Sequence, residues 1–147
     1  MRLAALIVVC MVALGAANCG SVVAQSRRLA PPGSETAELV VFRKSQIAGS
    51  AVTVPVEIDG KTVANIGSGD YVAFDVATGQ RFLAVGFSGR VQLVRLQVEA
   101  GKSYYFQFHF DMMNRASDDI DILERLSDEQ GRREIASGDY DALTPSR

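Results

Sequence analysis

The chain has 147 residues, a formal net charge of −2, 48% hydrophobic residues and no tryptophan. That length suits one domain rather than two. A balance so close to neutral lacks the basic footprint of a nucleic-acid binder, so nucleic acid is not an expected partner.

Residues 1–24, MRLAALIVVCMVALGAANCGSVVA, read as a secretory signal peptide. Arg2 supplies a minimal positive start, residues 3–17 carry no charge, and Val22-Val23-Ala24 offers the small residues of a cleavage site. The apolar run is shorter than the roughly 20 residues of a membrane span. Cys19, preceded by Ala16-Ala17-Asn18, offers a competing address as the lipidated first residue of a lipoprotein, and so a possible lipid anchor. Cleavage after Ala24 would remove both cysteines, Cys10 and Cys19, and with them any disulfide or thiol chemistry. No later stretch is apolar enough to form a transmembrane segment in the mature chain.

Residues 25–37 form a polar leader broken by Pro31-Pro32-Gly33, where the pair Arg27-Arg28 reads as solvated charge. Strand-like runs then recur at short intervals. The first, 38–44, is ELVVFRK. In 52–58, Val52, Val54, Val56 and Ile58 alternate with polar positions, and Pro55 marks an edge strand or a bulge because it cannot donate to a ladder. Asp59-Gly60 is a hairpin turn leading into 61–66. Gly67-Ser68-Gly69-Asp70 is a turn without the lysine and helix of a phosphate loop. Strands follow at 71–76 and 81–87. The longest hairpin, 89–111, carries Val94, Leu96 and Val98 on one arm and Tyr104, Phe106, Phe108 and Phe110 on the other. That aromatic row is the expected centre of the core.

About seven strands with glycine-containing turns, and no long helical period between them, predict an all-β fold, an antiparallel β-sandwich spanning 38–126. After Phe110 the chain turns acidic, with ten acids against five bases in 111–147. Residues 120–122 read as one last strand, and 123–136 as a short C-terminal helix with Ser127 as its cap. The remainder of 127–147 reads as a disordered tail.

The order of these runs resembles a bacterial family known as domain of unknown function 2846. The resemblance is carried by Leu39-Val40-Val41-Phe42-Arg43, Gly49-Ser50, Val56-Glu57-Ile58-Asp59-Gly60-Lys61, Gly69-Asp70-Tyr71, Gly79 and Val98-Glu99-Ala100-Gly101-Lys102-Ser103-Tyr104-Tyr105-Phe106. It covers residues 38–126 and implies a small secreted or lipid-anchored sandwich in the periplasm or cell envelope of a bacterium, with no activity attached.

Reactive constellations are sparse. His109 is the only histidine, and Asp111 shares its strand face, but a metal site needs more ligands than these two. No serine lies in a nucleophile-elbow context that His109 would serve. Asp118, Asp119 and Asp121 lack the frame of a calcium loop. No cofactor is expected. Tyr105, Gln107 and His109 line the strand face opposite the aromatic row, and this polar stripe is the expected contact for a ligand or partner. These features predict a non-catalytic, exported domain that binds an envelope protein or glycan. The alternative is a metal-dependent or hydrolytic enzyme using His109.

Overall fold

The computed structural model describes residues 23–24, 32–87, 89–110 and 122–145. In chain order these form β1 (Val23–Ala24), β2 (Thr36–Arg43), β3 (Val54–Ile58), β4 (Lys61–Ile66), β5 (Asp70–Ala77), β6 (Gly79–Phe87), β7 (Arg90–Val98), β8 (Ser103–Phe108), β9 (Leu123–Leu126), α1 (Asp128–Ser137) and β10 (Asp141–Leu143). The seven strands expected between 38 and 111 are β2 to β8. Among the predicted features, Cys10, Cys19, the Arg27-Arg28 pair, Asp111 and the acids at 118, 119 and 121 lie outside the described residues.

Two sheets face each other. The first has the order β1-β5-β2-β8-β9, with β10 also pairing β5; the second has the order β4-β3-β6-β7. Between them lie Leu39, Val41, Val56, Ile58, Val72, Phe74, Leu83, Val85, Leu96 and the row Tyr104, Phe106, Phe108 and Phe110. The inward residues of each strand are the alternate ones, because successive side chains point to opposite faces. This is the expected all-β sandwich with a short C-terminal helix.

The pairing is not antiparallel throughout. β2 runs parallel to β8, with Leu39 opposite Tyr104 and Val41 opposite Phe106. Strand direction alternates along the chain, and each passage through the second sheet is a hairpin. β5 therefore returns antiparallel to β2, while β8 arrives three strands later in the direction of β2. β10 also runs parallel to β5. It lies where the sequence predicts a disordered tail.

One expectation is resolved and one changes. Of the two readings of Pro55, an edge strand or a bulge, the bulge holds: β3 lies between β4 and β6, and its register against β4 shifts between Val56 and Glu57. Pro55 is accommodated because pairing with β6 covers only Val56 to Ile58. Residues 123–126 form β9 instead of the first turn of a helix, because β8 offers them a free edge, with Phe108 opposite Leu123 and Tyr105 opposite Leu126. The helix starts at its expected cap. Ser127 Oγ accepts from the Gln130 amide, and the Gln130 side chain accepts from the Ser127 amide. At the β3–β4 hairpin, Asp59 and Gly60 both adopt positive φ, 51° and 78°, which suits the right-handed twist of the flanking strands.

Candidate functional site

Tyr105, Gln107 and His109 project to the outer side of the first sheet, as alternation requires. That side is not an exposed stripe. Tyr105 is 0% exposed and Gln107 8%. Helix α1 covers Tyr105, with Gly131 so close that a Cβ there would overlap the Tyr105 ring. A second apolar cluster, Val40, Phe42, Tyr71, Ala73 and Tyr105, fills the gap, with Leu126, Ile135 and Tyr140 packed on it. Tyr140 meets Phe42 edge-on at 5.5 Å. A Lys44–Glu134 ion pair at 2.9 Å fastens the far end of the helix.

Polar groups follow the rim of this layer. Buried Glu38 accepts from Ser103 Oγ at 3.0 Å, and Arg132 reaches the same Ser103 oxygen at 3.4 Å while its Nε donates to Asp128. The hydrogen bond to Asp128 raises the Arg132 pKa. The Tyr105 hydroxyl is buried without a well-formed hydrogen bond, Ser103 lying close enough only to moderate its pKa. Burial raises its pKa, and the nearby Arg132 charge opposes that shift.

His109 lies beyond the helix. Its Nε2 is 2.7 Å from Glu124 Oε2, and its Nδ1 is 3.3 Å from Gln107 Nε2. A carboxylate on an imidazole fixes the ring and can share a proton with it. No cluster of three or more His, Cys, Asp or Glu placed to hold a metal occurs among the described residues.

Arg43 is the one cation among the described residues with almost no solvent exposure, at 1%. Its guanidinium donates to Val52 O at 2.7 Å and Gly49 O at 2.8 Å and lies over the Phe110 ring at 4.3 Å. Burial lowers its pKa, with the Asp70 charge acting against that. Both terminal nitrogens are engaged by the chain's own carbonyls, so Arg43 pins the loop between β2 and β3 to the core.

Among the described residues, nothing covers the outer side of the second sheet in this way. Its outward residues are Pro55 and Glu57 on β3, Phe82, Ala84 and Gly86 on β6, and Val91, Leu93, Arg95 and Gln97 on β7. Register places Leu93 beside Ala84, Val91 beside Gly86 and Arg95 beside Phe82. Val91 is 72% exposed and Leu93 63%. Next to them a hollow of about 320 Å³ opens over Pro55, Glu57, Ala84, Gly86 and Arg90. It exists because Ala84 and Gly86 put almost no side chain over the sheet. Large exposed apolar residues grouped on one face are a common feature of contact surfaces.

Sequence reasoning missed this face, although a trace was there. In RVQLVRLQV, residues 90–98, both Leu93 and Val94 are apolar, so the strand is apolar on both sides through its middle. One side faces the core; the other has no partner from this chain among the described residues.

No helix among the described residues is long and apolar enough to cross a membrane. No curated protein matches the chain. Residues 33–119, which hold β2 to β8 and hence the bare face but not the covering helix, match the family described as Protein of unknown function (DUF2846). The match spans more than half of the sequence, and the chain belongs to that family.

Proposed function

We propose that this protein is an exported, non-catalytic binding domain of the bacterial envelope, and that it meets its partner through the outer side of the β4-β3-β6-β7 sheet. The observation that carries this reading is the exposure of Val91 and Leu93 beside the Gly86 hollow. Ile47 is also exposed but stands in the β2–β3 loop; Val91 and Leu93 lie together on one sheet face, and leaving them in water costs free energy that a partner recovers, at about 25 cal/mol per Å² covered. Export rests on the pattern of residues 1–24.

The test is a photo-crosslinking amino acid placed at Leu93 in living cells, with a second placed at Glu129 on the solvent side of α1. A discrete adduct at Leu93 and none at Glu129 is expected. An empty lane at Leu93 defeats the reading. For the address, intact mass separates a chain starting at Gln25 from one starting at a diacylated Cys19.

A further inference from the structure

The same face is self-complementary, and we infer that its occupant is a second copy of this chain. This rests on the reading that the face binds something, and adds what it binds.

Three features point to a copy rather than to an unrelated protein. First, knob and hollow sit side by side on one face: Leu93 is the register neighbour of Ala84, and Ala84 lines the hollow. A two-fold axis running along β6 exchanges β3 with β7. It lays Val91 of each copy over Pro55 of the other, beside the space that Gly86 leaves, and Leu93 over the stem of Glu57, beside Ala84. Such an interface is isologous, so each favourable contact is made twice.

Second, the face carries both charge signs, on opposite sides of the apolar strip. Glu57 is on β3, and Arg95 is on β7, one pleat along from Leu93. The same axis brings Glu57 of one copy within reach of Arg95 of the other, so the reversed face meets opposite charge. Third, Gln97 and Gln80 at one end and Thr62 and Asn65 on β4 ring the apolar strip with neutral polar groups. An apolar centre inside a polar rim is the usual anatomy of an interface.

Size sets the strength. Strands of five to nine residues at about 3.3 Å per residue, four abreast at about 4.8 Å, give a face of roughly 24 by 19 Å. That lies below the roughly 800 Å² per partner of a standard interface. The dimer is therefore of the weak, concentration-dependent class.

The experiment is sedimentation equilibrium of the protein purified with its native N-terminus, from micromolar to millimolar chain. Wild type is expected to pass from monomer to dimer across that range. Leu93→Asp places a carboxylate on the knob and Ala84→Phe fills the hollow. Each is expected to raise the dissociation constant about tenfold or more, with an unchanged circular dichroism spectrum. The crosslink at Leu93 is expected to migrate at twice the chain mass. A wild type that stays monomeric at millimolar concentration overturns the inference, as does dimerisation of both variants at wild-type strength. An adduct at Leu93 to a different chain, from a monomeric protein, overturns the dimer and leaves the binding reading standing. An absent adduct removes that reading itself.

Discussion

On the outside of the first sheet, α1 and the Tyr140 that follows it cover Val40, Phe42, Tyr71 and Tyr105; on the outside of the second, Val91 and Leu93 stand in solvent. Both faces are apolar along the middle of a long strand, so both gain from being covered. The first is covered by this chain's own C-terminal segment, which lies beyond the residues matched to the family. The second has no cover among the described residues. Apolarity alone therefore does not single out the proposed contact surface; the missing cover does.

The largest way to break that comparison is to lift the cover. Gly131 is the buried residue of α1, and its lack of a side chain is what lets the helix lie on the Tyr105 ring. Gly131→Val must push the helix away. Helix propensity favours almost any residue over glycine, by up to about 1 kcal/mol, so the two effects compete. Overlap with a fully buried ring costs more, and a net loss of about 2–3 kcal/mol is expected in urea denaturation. Increased binding of an apolar dye would show that the first face had become like the second. A stabilised variant would mean that the helix is not seated on Tyr105.

The next test sharpens the contrast without uncovering anything. The Tyr105 hydroxyl is buried without a well-formed hydrogen bond. Tyr105→Phe removes that donor and is expected to stabilise by about 1–2 kcal/mol. The sign with pH follows from the raised pKa. Folding favours the neutral phenol, so the native state holds its proton where the unfolded chain begins to lose it, from the ordinary value of 10.0 upward. Stability is complete below that pH and falls as the pH rises through the raised folded value. Tyr140, raised mainly by burial, adds to the fall. Thermal melts of Tyr105→Phe across this range should fall less steeply than those of wild type; equal slopes would mean that Tyr105 titrates as if exposed.

The sandwich was largely legible in the sequence, because alternation within β3, β5, β6 and β8 states which side of each strand faces the core. What covers the first sheet was not. The exposed-stripe expectation for Tyr105, Gln107 and His109 assumed that a face with polar members meets water. Yet Leu39-Val40-Val41-Phe42 is apolar without a break, the mark of a strand buried on both sides. That run predicts a second layer over β2, and hence over its neighbour β8. The His109–Glu124 pair was hidden because it needs β9 beside β8, and strand partners separated this far in sequence leave no local periodicity. The parallel β2–β8 pairing is nonlocal in the same way.

The smallest expected change in stability belongs to the bare face. Leu93 is 63% exposed on the outer face, beside the small side chain of Ala84, so Leu93→Asp should move the unfolding free energy of the monomer by no more than about 0.5 kcal/mol. Glu57 is one strand beyond Ala84 and adds a mild repulsion, which salt screens. The measurement is urea denaturation in dilute protein, where association contributes nothing. A loss of more than 1 kcal/mol or so in that regime would show Leu93 to be part of the sandwich's own packing, and would close the distinction between the two faces. A near-zero value, beside the loss from Gly131→Val, would mean that similar apolar surface serves folding on one side of the molecule and association on the other.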